Sequence, residues 1–307
     1  MKKMRLFNIL LLTLIFMGCR SVERIKCWQP SSFSIATYNV RYENIGDSIN
    51  GNGWRQRYPY IAKLIQFHGF DIFGTEEGKY NQLQDLKGSM SNYDYIGVGR
   101  DDGQKGGEFS AIFYRTDKFE VLEHGNFWLS TITDRPNKGW DAALPRICTW
   151  GKFRLKSTGF IFMYFNLHMD HIGKQARIES AKLILQRIRE LPKKFPVILS
   201  GDFNVDQFSD SYKLLVNSDI FKDAYQEAEF IYEPNGTFNN FNPNLKTDKR
   251  IDHIFLTDEF VVKKYGILTD TYWSESNVKD NLITYQARMP SDHFPVMIVV
   301  EIKIKLK

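Results

Sequence analysis

The stretch PVILSGDFN, residues 196–204, decides how the rest of the sequence is interpreted. Its first four residues, Pro196 to Leu199, have the composition of a buried strand. The polar residues Asp202 and Asn204 follow directly, where such a strand ends. Functional groups collect on loops at strand ends because the scaffold holds them in place while ligands still reach them. We therefore expect residues 200–204 to form part of a site carried by a sheet.

Five further segments place polar residues at the end or the start of a predicted strand. They are YNVR at 38–41, DIFGTEE at 71–77, NLHMDH at 166–171, RIDH at 250–253 and SDH at 291–293. Four of the six histidines of the chain fall within this set. Segments so far apart serve one site only if the chain folds back on itself, so we predict a single domain.

The segments between these motifs alternate between strands and helices. Strands are predicted at 33–40, 71–74, 93–98, 110–114, 119–122, 147–155, 160–167, 196–199, 251–256, 261–268 and 296–304. Helices are predicted at 54–66, 80–86 and 174–191. Many short strands with few helices favour two packed sheets over a doubly wound sheet. We predict an α/β (α+β) fold, built as a two-layer β-sandwich flanked by helices.

The residue types in the motifs indicate a hard metal ion and proton transfer. Oxygen ligands are abundant, whereas the sequence has no CxxC or HExxH motif. Such donors suit Mg²⁺ or Mn²⁺, and Ca²⁺ is also compatible. Histidines that bind no metal are then free to move protons. A hard cation, a histidine base and donors for a developing anion are what hydrolysis of a phosphate ester requires.

The ordered set N, E, NxH, GDFN, ID and SDH resembles the endonuclease/exonuclease/phosphatase (DNase I-like) superfamily. The resemblance spans about residues 33 to 303, and the stretch from Phe127 to Arg146 resembles a secreted bacterial subgroup of unassigned substrate. It implies a DNase I-like four-layer architecture and hydrolysis of phosphoesters. Three residues match the metal ligands of the family: Asn39, Glu77 and Asp292. Five residues match its catalytic groups: His168, Asp202, Asn204, Asp252 and His293.

The resemblance also implies how these five residues divide the work. His293 matches the base that activates the attacking water, and Asp252 matches the carboxylate that orients this histidine. His168 matches the histidine that contacts the scissile phosphate. Asn204 matches an amide that steadies the transition state. Asp202 matches an aspartate that assists either the nucleophile or the leaving group, since its role differs among family members.

One position departs from the family pattern, which usually has Gln-Glu where this chain has Glu76-Glu77. If Glu77 binds the metal, Glu76 either adds a negative charge beside the ion or points away into solvent. The added charge would tighten cation binding or repel an anionic substrate.

Three residues are candidates for substrate binding: Arg100, Asp170 and Arg177. Arg100 lies in the glycine-rich loop at 97–103 and either contacts phosphate or belongs to a solvated turn. Asp170 and its neighbour His171 either line the site or cap the helix predicted at 174–191. Arg177 lies on this helix, whose basic residues are most simply its solvated face.

The N-terminus is typical of an exported bacterial lipoprotein. A run of twelve mostly apolar residues, 6–17, follows three basic ones and is too short to span a bilayer, which needs about 20. Gly18-Cys19 comes next and resembles a lipobox, although Phe16 stands where leucine is usual. We expect a lipid on Cys19 that anchors the protein to a periplasm-facing or cell-surface membrane. An ordinary signal peptide with a chance cysteine is the alternative.

These boundaries divide the chain into three parts: a lipoprotein signal peptide at 1–18, a tether at 19–32 and the catalytic domain at 33–307. Cys27 and Cys148 remain in the mature chain, and the sequence leaves their pairing open.

Composition and net charge limit the classes of substrate that the sequence supports. The 43% hydrophobic and 25% charged residues exclude a disordered chain and a polytopic membrane protein. The net charge of +5 falls to +2 when the leader is removed, and no basic run carries interleaved aromatic residues, so long nucleic acid is weakly supported. We expect a small or membrane-linked phosphoester, with no obligate protein partner. The alternatives are a nuclease acting on DNA or RNA and a non-catalytic binding module that retains the fold.

Overall fold

A computed structural model of the protein describes residues 32–191, 194–279 and 282–303. The predicted signal peptide, the anchor residue Cys19 and Cys27 lie outside these residues. The described strands are β1 (Ser32–Asn39), β2 (Ile72–Glu76), β3 (Tyr93–Ile96), β4 (Ala111–Arg115), β5 (Phe119–Trp128), β6 (Ile147–Leu155), β7 (Phe160–His168), β8 (Val197–Asp202), β9 (Lys222–Asp223), β10 (Ile231–Tyr232), β11 (Asp252–Leu256), β12 (Phe260–Ile267), β13 (Tyr272–Lys279), β14 (Leu282–Arg288) and β15 (Val296–Ile302). The described helices are α1 (Ile45–Ile49), α2 (Trp54–His68), α3 (Tyr80–Ser89), α4 (Lys174–Arg189), α5 (Asp210–Val216) and α6 (Ala224–Glu227).

These strands form two large sheets and a separate hairpin. The first sheet has the order β10-β12-β15-β1-β2-β4-β3, and the second has the order β5-β6-β7-β8-β11-β9. Both sheets are mixed, since β1 pairs in parallel with β2 and β7 in parallel with β8, beside antiparallel neighbours. Strands β13 and β14 pair with each other.

Three apolar clusters stack the elements into four layers. The cluster between the sheets takes Phe33 from β1 and Phe162 from β7. A second cluster joins Ile184 of α4 to Leu199 of β8, and a third joins Ile61 of α2 to the first sheet. Successive residues of the central strands point to opposite faces, so these strands are apolar on both sides. The predicted sandwich with flanking helices is confirmed.

The predicted boundaries hold best where the apolar pattern is long. Helix α2 runs two residues beyond its prediction and ends at Gly69, whose φ of 66° closes it in the left-handed conformation. The short helices α1, α5 and α6 were not predicted, because segments this short carry little periodicity. The hairpin of β13 and β14 was not predicted either. None of the described helices is long and apolar enough to cross a membrane. Cys148 is buried in β6 and has no disulfide partner among the described residues.

Candidate active site

Strand register brings the polar motifs together at one end of the sandwich. In the second sheet His168 lies opposite Asp202, and Asp202 lies opposite Asp252. In the first sheet Asn39 ends β1 beside Glu76 at the end of β2. The Asn39 amide Nδ2 donates to Asp202 Oδ2 at 3.0 Å and so links the ends of the two sheets.

The backbone turns sharply just after three of these strands. Arg41, Glu77 and Asn204 have φ values of 57°, 65° and 52°, in the left-handed region that residues with a side chain rarely adopt. Each follows the end of β1, β2 or β8 by one or two residues. Such conformations cluster at functional sites, where the surrounding structure holds them in place.

A cleft of about 440 Å³ opens between these turns. Most of the predicted site residues lie in its wall: Glu77, Arg100, His168, Asp202, Asn204, Asp292 and His293. Asn39 and Asp252 are fully buried and lie behind this wall, where they contact Asp202 and His293. The structure therefore gathers every predicted metal and catalytic residue around one cavity.

His293 and Asp252 form a buried pair. The His293 Nδ1 lies 2.9 Å from Asp252 Oδ2, and its Nε2 lies 3.9 Å from Asp202 Oδ2. Burial by itself lowers the pKa of His293, but the charge and the hydrogen bond of Asp252 raise it well above 6.5. The carboxylates thus favour the imidazolium form, and a divalent cation held beside them would oppose this. With Nδ1 engaged, Nε2 is the nitrogen available to a water in the cleft.

Asp202 is held from several sides. Its Oδ1 accepts the backbone N–H of Asn204 at 2.8 Å, and its Oδ2 lies 3.4 Å from His168 Nε2. Burial, followed by the nearby charge of Asp252, raises the pKa of Asp202 to about 7. A carboxyl group that titrates near neutral pH is suited to proton transfer.

His168 is a buried neutral imidazole. Its Nε2 lies 3.0 Å from the amide Nδ2 of Asn204, and this amide also donates to the carbonyl of Met169 at 2.9 Å. Burial and then the charges of Arg146 and Arg100 lower the pKa of His168 well below 6.5. A neutral histidine fixed by an amide can orient a phosphoryl group without repelling the metal.

Two of the predicted metal ligands, Glu77 and Asp292, lie around the positively charged guanidinium of Arg41. The guanidinium Nη1 of Arg41 lies 3.4 Å from Asp292 Oδ2 and 3.9 Å from Glu77 Oε2. The Asn39 amide lies 3.1 Å from Glu77 Oε1. Burial, together with the charge of Glu77, raises the pKa of Asp292 to about 6, as expected for carboxylates that need a positive partner.

A second group of candidate ligands overlaps the first. One atom each of Glu77, His168 and Asp202 lie within 4.8 Å of one another. Glu77 belongs to both groups, so either group could hold an ion on the Glu77 side of the cleft. Oxygen donors dominate this side, and they fit Mg²⁺ or another hard divalent cation.

Glu76 is fully buried, so the alternative that it points into solvent is wrong. Its Oε1 accepts a hydrogen bond from the Thr37 hydroxyl at 3.1 Å. Burial, and then the charge of Asp252, raises the pKa of Glu76 well above 4.5. The surroundings of Glu76 therefore favour the protonated, uncharged form of its carboxyl group, at the position where the family usually has glutamine.

The three candidates for substrate binding differ in whether they reach the cleft. Arg100 lines the cleft, whereas Asp170 and Arg177 do not. Asp170 accepts the backbone N–H groups of Ile172 and Gly173 just before α4, and Arg177 donates to the Asp170 carbonyl at 2.8 Å. Their placement therefore supports a role at the start of the helix in place of the predicted substrate contact. His171, for which the same two roles were open, does line the cleft.

Several residues of the cleft wall were not predicted: Arg41, Tyr42, Glu108, Leu144, Arg146, Phe238, Asn240 and Ile251. In the sequence, Arg146 ends the stretch that resembles the secreted bacterial subgroup. Phe238 bridges to the backbone of His293, and the centres of the two rings are 5.1 Å apart. No sequence motif surrounds Phe238, because its contact arises from the path of a long loop.

Comparison with known proteins agrees with this geometry. The model of the Endonuclease/Exonuclease/phosphatase family matches residues 36–293. The chain is 56% identical to a Bacteroides thetaiotaomicron protein of that family, over 90% of this chain and 100% of that one, with a TM-score of 0.87. It is also 56% identical to the mannosyl-6-phosphatase of Bacteroides thetaiotaomicron, over 87% of this chain and 99% of that one, with a TM-score of 0.84.

A more distant relative extends this similarity beyond bacteria. An uncharacterised protein of Acanthamoeba polyphaga mimivirus is 27% identical, over 81% of this chain and 92% of its own length. The segment that the family model matches contains every predicted metal and catalytic residue, from Asn39 to His293. The chain therefore belongs to the endonuclease/exonuclease/phosphatase family, whose members hydrolyse phosphoester bonds.

Proposed function

We propose that this chain is an exported, divalent-metal-dependent phosphatase that releases phosphate from a sugar phosphate monoester. The observation that carries the proposal is the arrangement of the cleft wall. His293 contacts Asp252 and lies within 4 Å of Asp202. In the same cleft wall, the acidic groups of Glu77 and Asp292 both lie within 4 Å of the Arg41 guanidinium. A base, a proton-holding carboxyl group and a metal site are the parts that a water-attack mechanism needs.

In the proposed reaction a water molecule attacks phosphorus and gives its proton to His293 Nε2, while the bond from phosphorus to the sugar oxygen breaks. The departing sugar oxygen takes a proton from water in the cleft, and the His293 imidazolium returns its proton to solvent. Asp252 holds the imidazole by Nδ1 and stabilises the imidazolium that forms. A cation bound by Asn39, Glu77 and Asp292 would neutralise negative charge on the phosphoryl oxygens. Attack and departure lie in line on opposite sides of phosphorus. Since Asp202 lies 3.9 Å from His293 Nε2, we assign it to the side of the attacking water.

Three observations support a sugar phosphate as the substrate class. A relative that shares 56% of its residues over nearly its whole length is named a mannosyl-6-phosphatase. The cleft volume of about 440 Å³ is that of a small-molecule site. The net charge of +2 that remains after the leader is removed gives little attraction for a long nucleic acid.

A substrate panel tests the proposal. Purified protein lacking residues 1–18 is assayed with Mg²⁺ on mannose 6-phosphate, p-nitrophenyl phosphate, bis-p-nitrophenyl phosphate, RNA and single-stranded DNA. We expect phosphate release from the two monoesters and slower turnover of the other three. Preferred cleavage of RNA or DNA would replace the proposal by a nuclease, and no turnover of any substrate would leave a binding module.

The same assay on fractionated cells examines the exported location, which rests on residues 1–19. We expect the activity in the membrane fraction of wild-type cells and in the soluble exported fraction for Cys19→Ala. Membrane-bound activity in this variant would contradict the lipid anchor.

A further inference from the structure

Two arginines in the cleft wall have no part in the reaction described above. Arg100 and Arg146 both line the cleft, and both are almost fully buried, with 6% and 4% of their surface exposed. His168, the histidine assigned to the phosphate, lines the same cleft, and after burial the charges of the two arginines contribute most to lowering its pKa. Buried arginines next to a phosphate site call for a specific explanation, because removing a guanidinium from water is costly.

Arg100 is held rigidly by its neighbours. Its Nη1 lies 2.6 Å from Glu108 Oε2, and its Nη2 donates to Glu108 Oε1 at 2.8 Å, which makes a two-pronged pair. The indole N–H of Trp128 donates to the Arg100 carbonyl at 2.8 Å. The guanidinium is therefore fixed in the cleft wall and need not be ordered by a ligand.

Arg146 is fixed in the same manner by the segment that precedes α4. Its Nε donates to Asp170 Oδ2 at 3.2 Å, and its Nη2 lies 2.8 Å from His171 Nδ1. Asp170 is itself tied to the backbone N–H groups of Ile172 and Gly173. The carboxylate predicted to contact substrate thus acts one step further back, by positioning an arginine that does line the cleft.

Each guanidinium keeps a donor that no described residue satisfies. Arg100 Nε and Arg146 Nη1 are buried and have no hydrogen-bond partner among the described residues, and Asp101 Oδ1 lies 3.8 Å from Arg100 Nε. Native proteins rarely leave buried donors unpaired, and when they do the site is commonly functional. Two rigid cations with spare donors are suited to an anion with several oxygens.

We propose that Arg100 and Arg146 form a clamp for a terminal phosphate and select monoesters over diesters. A phosphate monoester carries a charge of about −1.5 to −2 at neutral pH and three unbridged oxygens, whereas a diester carries a single charge and two unbridged oxygens. Two guanidiniums therefore bind a monoester more tightly, because they contact its third unbridged oxygen and neutralise its second charge. This inference rests on the proposed function, because it takes the ligand of the cleft to be a phosphoester.

The clamp is tested by the ratio of two rates in variants of Arg146. Arg146→Gln and Arg146→Lys are assayed on p-nitrophenyl phosphate and on bis-p-nitrophenyl phosphate. We expect Arg146→Gln to lower kcat/KM for the monoester by about tenfold to hundredfold and that for the diester by less than about threefold, with a partial recovery in Arg146→Lys. Arg154→Gln is the matched control, since it removes an exposed arginine that pairs with Glu120 on the same sheet.

Equal losses on both substrates, or no loss on either, would overturn the clamp. Circular dichroism checks the fold of each variant, and Arg100→Lys provides a second test if Arg146→Gln does not fold. Calorimetric binding of inorganic phosphate gives a readout that needs no turnover, and its Kd should rise about tenfold in Arg146→Gln. If the wild type binds phosphate through Arg146 yet hydrolyses nothing, the clamp stands and the proposed function falls. An unchanged Kd overturns the clamp.

Discussion

His253 and Asp252 are neighbours on β11 and serve opposite faces of the second sheet. Asp252 holds His293 from behind the cleft wall. His253 points towards α5, and its Nε2 lies 2.9 Å from the Val205 carbonyl oxygen. Its ring packs against Phe203 and Tyr212. The alternation of a strand thus gives one residue of the pair to the chemistry and the other to the core.

The buried state of His253 gives a pH dependence of stability. Burial lowers its pKa below the usual 6.5, and its Nδ1 has no hydrogen-bond partner among the residues that the structure describes. As the pH falls below about 6.5, His253 becomes protonated in the unfolded chain but stays neutral in the native state. The free energy of unfolding therefore decreases. His253→Gln keeps a donor for Val205 and cannot titrate. We expect its urea-unfolding free energy to fall less than that of the wild type between about pH 7 and pH 5.

Other groups titrate over the same range, so only the difference between the two proteins is informative. Parallel curves for wild type and His253→Gln would contradict the assignment of His253 as a buried neutral histidine.

At this scale the sequence identifies the chemical groups but not their surroundings. The motifs point to Asp202, His168 and His293, and the structure places all three in one cleft wall. The burial of Glu76 was not predictable, because a five-residue strand buried throughout lacks the alternation that separates an inner face from an outer one. Of the adjacent residues Asp170 and His171, only His171 lines the cleft. Asp170 is instead held by the backbone N–H groups of Ile172 and Gly173 before α4, and the sequence does not indicate which of the two side chains faces the cleft.

At the scale of single elements, the pairing of β7 with β8 aligns the catalytic residues. Gly201 precedes Asp202 and has a φ of 146°, and a Cβ placed on it would lie 2.0 Å from the Leu167 carbonyl oxygen. A side chain here would push the two strands apart at the point where His168 and Asp202 lie side by side. Glycine is therefore needed for the close approach of the two backbones.

Gly201→Ala should damage both stability and catalysis. We expect a loss of about 2–3 kcal/mol in the free energy of unfolding, because overpacking and backbone strain act together, and a lower kcat on p-nitrophenyl phosphate. Gly88→Ala is the control, since its Cβ would meet nothing within 4 Å in helix α3. There alanine should stabilise by about 0.5–1 kcal/mol. Urea unfolding measures both changes, and a neutral Gly201→Ala would contradict the role given to this contact.

The boundaries of β8 show why elements near a site are hard to predict. The apolar run predicts a strand at 196–199, but the observed strand continues through Ser200 and Gly201 to Asp202. The polar residues stay in the strand because β7 and β11 pair with it on both sides. Pairing with neighbours is a tertiary effect that local composition does not contain.

At the scale of the whole molecule, the cleft exists because two sheets end at the same level. Asn39 from the first sheet reaches Asp202 of the second, and Ser291 donates to the Asn39 carbonyl at 2.6 Å. The order of the motifs along the chain predicted the family and through it this four-layer fold. The loop that brings Phe238 against His293 has no motif of its own, and no sequence pattern pairs Arg100 with Arg146, so only the folded chain reveals these two features.

The central claim is that the cleft hydrolyses phosphate monoesters with a cation and with His293 as the base. Its most direct test is the rate of p-nitrophenyl phosphate hydrolysis by wild type and by His293→Ala, with Mg²⁺ and after removal of metal with EDTA. We expect EDTA to abolish wild-type turnover, Mg²⁺ to restore it, and His293→Ala to lose at least about 100-fold in rate while it stays folded. A wild-type rate that EDTA leaves unchanged, or a near-wild-type rate in His293→Ala, would contradict the claim.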